Sequence, residues 1–144
     1  MLAVRLENHI ETFSDEVLWN INRVNYPYVG VCVDTNNSLM VGEDPLTAIR
    51  KLAPVSFTNH FSDHRIVLDQ YDCRITGVAT GSGDVPMREA YQVIKANPNM
   101  KRLNIEVEFD PGEDGREEAR HREYHAFVDS IRFTRQELGV GQGP

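Results

Sequence analysis

The sequence predicts a parallel α/β domain made of four successive βα units. Three observations predict it. Strand-like and helix-like runs alternate along the chain, which is the order a parallel sheet with crossover helices requires. Each strand-like run ends in or near a residue able to bind a metal, namely Glu7, Asp34, His60 and Glu106, and in such folds function gathers at the carboxyl ends of strands. The 144 residues are 40% hydrophobic and 26% charged, enough to bury the core of one ordinary domain.

The elements follow in order. The first strand is LAVRLE, 2–7. A helix comes next, with Ser14 as N-cap, Asp15 and Glu16 at its positive end, and Val17, Leu18 and Ile21 on one face. VGVCVD, 29–34, is the second strand. The second helix starts sharply, capped by Asp44 with Pro45 in its first turn; Leu46, Ile49 and Leu52 make its stripe, and Pro54 ends it. VSFTNH, 55–60, is the third strand. In the long connection that follows, RIVLDQ and CRITGV alternate like the arms of a hairpin around Tyr71 and Asp72. A third helix begins near Pro86, turns Ala90, Val93 and Ile94 inward, and stops at Asn97 and Pro98. RLNIEVEF, 102–109, is the fourth strand. A charged helix over 116–138, with Tyr124, Phe127, Val128 and Ile131 on one side, precedes a frayed tail, GVGQGP. Trp19 and the aromatic positions of that helix read as packing residues.

The bulk numbers exclude several classes of function. A net charge of −7 with no Lys/Arg cluster argues against nucleic acid as a partner. Two cysteines, Cys32 and Cys73, are too few for a disulfide framework, and Cys32 reads as a small buried residue. Arg5 and Glu7 interrupt what would be the apolar part of a leader, and no apolar run has transmembrane length. A cytoplasmic protein without a membrane partner is the expectation.

Side-chain parity sharpens the reading of the strand ends, because successive strand residues point to opposite faces. One face carries Val4, Leu6, Val31, Val33, Val55, Phe57, Leu103 and Ile105, an apolar surface suited to helices. The other carries Ala3, Arg5, Gly30, Cys32, Ser56, Thr58, Asn104 and Glu108 together with the four strand-end residues. It is small and polar, like a lumen with a polar mouth. Spacings of 27 and 26 residues separate Glu7, Asp34 and His60, one βα unit each, and the last spacing, 46, adds the hairpin. Three carboxylates and an imidazole suit a hard or borderline divalent ion, Mn²⁺, Mg²⁺ or Co²⁺, with Zn²⁺ as a further choice. A hydrated strand end accounts for any one of these residues alone; four in register on a polar face point to a site. Glu106 and Glu108 have the same parity, so the pattern leaves both open as fourth ligand.

Five stretches, LENH (6–9), GVCVDTNNS (30–38), NHFSD (59–63), TGSGDVPM (80–87) and LNIEVEF (103–109), run in one order over nearly the whole chain. In that order they resemble the sugar phosphate isomerase/epimerase family, the xylose-isomerase-like TIM barrels. The resemblance covers the C-terminal half of such a barrel and implies a parallel (βα)4 half-barrel over 1–144. Matched by motif, it implies one divalent ion, Mn²⁺ first among the choices, held by Glu7, Asp34, His60 and Glu106, and so favours Glu106 over Glu108. It further implies a small sugar or sugar derivative as substrate, with Glu7 and Glu106 exchanging protons through an enediolate. His9, Asn37 and His64 are the candidate substrate contacts, although a solvated loop position suits His9 equally well and an exposed loop position suits His64 better.

The sequence departs from the family pattern in three places. The family barrel has eight strands and four are present, which leaves two open sheet edges that a second copy would close around a twofold axis. Asn37 stands where the epimerase branch has a substrate-binding His, and Phe61, Ser62 and Asp63 follow His60 where a basic residue is usual. The non-enzymatic alternative is a half-barrel that binds metal or ligand without turnover. A zinc phosphodiesterase of the apurinic-endonuclease type is a weaker alternative, opposed by the acidic charge and by Asn37; a dehydratase shares the scaffold. His121 and His125, four apart on the last helix, have metal-binding spacing among charged neighbours that favour a solvated face. Gly81 and Gly83 form a lone GxG better read as a turn than as a phosphate cradle.

Overall fold

The computed structural model describes residues 3–108 and 115–141. Strands β1 (Val4–Glu7), β2 (Val29–Asp34) and β3 (Ser56–His60) form a parallel sheet in the order β1-β2-β3. Helices α1 (Ser14–Val24) and α2 (Pro45–Leu52) are the crossovers, and α3 (Met87–Ala96) follows an antiparallel hairpin of β4 (Asp63–Leu68) and β5 (Cys73–Val78). The long helix α4 is Arg116–Gln136. The architecture is α/β with a parallel three-stranded sheet, consistent with part of a TIM barrel.

The helix-facing side of the sheet builds the core. Val31 and Val33 are fully buried there, against Val17, Ile21, Ile49, Leu52, Ala90 and Ile94; each of the Val, Ile and Leu side chains stabilises the fold by about 1.5–3 kcal/mol. Phe61, directly after β3, is also fully buried and meets Tyr91 edge-on at 6.5 Å. Helix α2 starts as its sequence dictates, with the Asp44 carboxylate accepting the Thr47 N–H at 2.7 Å and Pro45 in the first turn. Helix α1 differs. Ser14 is its first helical residue rather than its cap, and both its N–H and its hydroxyl bind the Glu43 carboxylate. Glu16 turns back to accept the Phe13 N–H at 2.8 Å. A carboxylate from a neighbouring loop thus meets the positive helix end.

Four expectations are corrected. First, β3 contains a register irregularity: Val31 pairs with Ser56, but Cys32 pairs with Thr58. The extra residue, Phe57, reverses the parity on its N-terminal side. Ser56 therefore lies on the helix side, fully buried with its hydroxyl bonded to the Leu52 carbonyl at 2.8 Å. Phe57 lies on the lumen side against Gly30, where any Cβ would come within 2.6 Å of its ring.

Second, the expected fourth strand is reduced to a single bridge, Phe61 to Ile105. The cause is Asn59, whose side chain takes the place of a strand backbone. Its Nδ2 donates to the Arg102 carbonyl at 2.8 Å, and its Oδ1 accepts the Asn104 N–H at 3.1 Å. Residue 109 lies outside the described residues.

Third, α4 docks through Ala126, Ser130 and Thr134, while Tyr124 and Phe127 are exposed. Ser130 Oγ accepts the Thr80 N–H at 2.9 Å, and the Phe133 ring occupies the space beside Gly81. Fourth, Trp19 is 65% exposed on the outer side of α1. No helix among the described residues is long and apolar enough to cross a membrane.

Candidate metal centre

The register of the sheet brings the strand ends together. Glu7 pairs with Cys32 across β1 and β2, and Asp34 pairs with His60 across β2 and β3. Past β3 the chain is held by hydrogen bonds from the Phe61 N–H to the Asn104 carbonyl, 2.7 Å, and from the Glu106 N–H to the Phe61 carbonyl, 3.3 Å. These place Glu106 beside His60. The His60 Nδ1 atom stands 3.3 Å from Glu7 Oε1, 3.7 Å from Asp34 Oδ2 and 3.2 Å from Glu106 Oε2. Three carboxylates from three segments thus surround one imidazole nitrogen.

Asp34 forms the floor of this cluster. It is 2% exposed, and burial pushes its carboxyl up to about 7. Its Oδ1 atom accepts the N–H groups of Asn36 at 2.8 Å and Asn37 at 3.2 Å, and the Ser62 hydroxyl at 3.2 Å. Its Oδ2 atom is the one turned to His60. The side chains of Glu7, His60 and Glu106 are each about a third exposed, so the site opens to solvent above Asp34. Burial raises the Glu106 carboxyl; His60 opposes the shift, and Glu108 and Glu7 add to it.

Several supporting residues escaped the sequence reading. Asn8 clamps the backbone of Asp34, accepting its N–H at 2.8 Å and donating to its carbonyl at 3.1 Å. Thr35 ties the same loop to the end of β3: its N–H donates to the His60 carbonyl at 3.1 Å, and its hydroxyl donates to the Ser62 carbonyl at 2.6 Å. Asn36 donates to the Ser62 hydroxyl. Each is a polar residue following an apolar strand, but nothing in its spacing announces the partner.

The three candidate substrate contacts fare differently. Asn37 is buried, with its Nδ2 atom on the Asn8 carbonyl at 3.2 Å and near Glu7 Oε1 at 3.5 Å, so it braces Glu7. His9 is exposed and bonds Glu11 at 2.6 Å, which raises its pKa. His64 is 4% exposed rather than solvated, because it sits on β4 instead of in a loop. Its Nε2 atom is 3.2 Å from Glu108, its Nδ1 atom is buried without a partner, and burial lowers its pKa. Glu108 is therefore paired with His64, while Glu106 faces His60.

The GxG turn holds a carboxylate of the chain itself. Asp63 accepts the N–H groups of Gly81 at 2.9 Å, Gly83 at 2.8 Å and Val85 at 3.2 Å. A Cβ on Gly83 would stand 2.3 Å from the Asp63 carboxylate, so glycine is required there. Gly77 lets β5 lie against the backbone of Glu108, where a Cβ would come within 1.9 Å of its carbonyl oxygen. His121 and His125 lie exposed on α4, with their Nε2 atoms 3.1 Å apart.

No protein-family model matches this chain, and no curated protein matches it. Solved structures do. A xylose isomerase domain protein from Planctomyces limnophilus superposes with a TM-score of 0.69 at 24% identity, over 95% of this chain and 46% of that one. The fold is xylose-isomerase-like. The probable 3-DHS dehydratase AsbF, involved in petrobactin synthesis in Bacillus anthracis, superposes with a TM-score of 0.58 at 18% identity, over 88% of this chain and 48% of that one. The chain thus spans about half the length of each of these xylose-isomerase-like neighbours.

Proposed function

We propose that this chain carries the metal-holding part of a divalent-metal-dependent isomerase or epimerase acting on a small sugar or sugar derivative. The observation that carries the proposal is the convergence of Glu7, Asp34 and Glu106 on His60 Nδ1. Carboxylates packed this closely repel one another and favour protonation unless a cation joins them. The donor set fits one, since three oxygen donors and an imidazole suit Mn²⁺, Mg²⁺, Co²⁺ or Zn²⁺.

Glu7, Asp34, His60 and Glu106 would hold the ion. When bound, it supplies Lewis-acid polarisation of a substrate carbonyl. Glu7 and Glu106 reach the site from different segments and are the two partly exposed carboxylates. One takes the proton from the carbon next to the carbonyl. The other delivers a proton to the opposite face, which inverts that carbon. Asp34, buried and held by three donors, would bind the ion and move no proton. The likeness to a probable dehydratase supports a second reading on the same residues, in which loss of a neighbouring hydroxyl follows the proton abstraction. We further propose that a second copy of the chain pairs along the open sheet edge. What supports this is the exposed β1 edge, with Val4 64% and Leu6 39% accessible.

The test is bound metal per purified chain by elemental analysis, with Asp34→Ala alongside, followed by a screen of ketoses and aldoses. Near-stoichiometric metal that is lost in the variant supports the site. Absence of metal after incubation with each ion refutes it. Turnover that survives Glu106→Gln overturns the proton-transfer roles.

A further inference from the structure

The parity that brings Glu7, Asp34 and His60 to one face of the sheet brings Cys32 to that face as well. Cys32 lies two residues before Asp34 on β2, one layer deeper into the lumen side. It is the ladder partner of Glu7 on one side and of Thr58 on the other. Buried cysteines usually sit among apolar neighbours and behave as small hydrophobes. This one does not: its Sγ atom, a Glu7 carboxylate oxygen and a His60 ring nitrogen all lie within 4.8 Å of one another. Asp34, His60 and Glu106 form a second triad within the same limit, and the two triads share His60.

We propose that Cys32 supplies a sulfur donor to the metal centre, joining Glu7 and His60, and that the centre therefore selects Zn²⁺ or Co²⁺ over Mg²⁺ and Mn²⁺. The inference rests on the reading that the His60 cluster holds a cation. Oxygen-only sites favour Mg²⁺ and Mn²⁺, whereas a thiolate with an imidazole favours Zn²⁺ and its mimic Co²⁺. On binding, the thiol proton leaves to solvent and a sulfur lone pair goes to the metal, so the step needs no oxidant. Cys32 is 6% exposed beneath Glu7 and His60. Cys73, on the exposed hairpin, is the second thiol and has to be removed before a sulfur signal can be assigned to Cys32.

The experiment is titration of the purified chain with Co²⁺, read by absorption, on the Cys73→Ser background. A sulfur-to-cobalt charge-transfer band in the near ultraviolet, appearing together with the visible d–d bands, is the expected result. Cys32→Ser should keep the d–d bands and lose the charge-transfer band. Competition titrations should show its Zn²⁺ affinity falling by about tenfold or more while its Mn²⁺ affinity holds. Cobalt bound with d–d bands and no charge-transfer band in the parent chain overturns the role of Cys32 and leaves the metal centre standing. That measurement needs no buried substitution, so misfolding of the Cys32 variant cannot obscure it. Absence of any bound cobalt overturns the centre itself, and the sulfur donor with it.

Discussion

At the scale of single residues, Asp34 shows how burial and charge are reconciled. Its carboxyl ionises near 3.8 in the unfolded chain but is pushed up to about 7 in the fold by burial. Between those values the folded chain holds one proton more than the unfolded chain. Stability of the metal-free protein therefore falls as pH rises through that window, by about 4 kcal/mol for the full shift. His64 acts in the opposite sense: burial lowers its pKa, so its share of stability is lost as pH falls below 6.5. Comparison with Asp34→Asn separates the two, because only the Asp34 contribution disappears in the variant. Urea melts with chelator at about pH 5 and about pH 8 should show a steeper decline in the parent chain. Equal slopes would contradict the buried, protonated Asp34. The position of Asp34 was legible in the sequence because a charge ends an apolar run. The Asn8 clamp was not, since the separation of 26 between Asn8 and Asp34 is closed by the β1-β2 register.

Among the elements, β3 shows why alternation is a guide that one residue can reverse. Thr58 and His60 keep their expected face, but Ser56 and Phe57 exchange theirs because the extra residue shifts the register. Nothing in the run SFTNH announces the bulge; the pressure for it is the space over Gly30 that the Phe57 ring fills. The missing fourth strand has a comparable cause in the Asn59 side chain, which hydrogen-bonds where a strand backbone would. Asn59 is fully buried, so Asn59→Ala leaves the Arg102 carbonyl and the Asn104 N–H without partners. The expected cost is about 2–3 kcal/mol in urea unfolding. Metal affinity should fall as well, because the same segment carries Glu106. A variant of unchanged stability and affinity would show that the Phe61 contacts alone hold the segment. Helix α4 misled for a different reason. Most of its large apolar residues stay outside, because the helix lies close to the turn around Gly81 through Ala126, Ser130 and Thr134, with Phe133 as the one large ring against that turn.

Across the whole molecule, the βα alternation and the gathering of strand-end residues were legible because both follow from periods of the backbone. How the sheet ends was not, since an edge is a property of what pairs with it. The β1 edge leaves Val4 64% and Leu6 39% exposed, beside a site that is open above Asp34. Free parallel edges of this kind invite strand addition. If a second copy provides it, the isologous pairing buries Val4 twice in each dimer. Val4→Lys then places two like charges in that interface while costing the isolated chain little, because the residue is exposed there. Sedimentation of the parent chain should give twice the chain mass, and the Lys variant should give the chain mass with an unchanged circular dichroism spectrum. A parent chain that stays monomeric at tens of micromolar would remove the second copy as the partner of this edge. A dimer that persists in the variant would place the interface elsewhere, on another exposed apolar surface such as the Tyr124 and Phe127 face of α4 or the Leu68 and Tyr71 end of the hairpin.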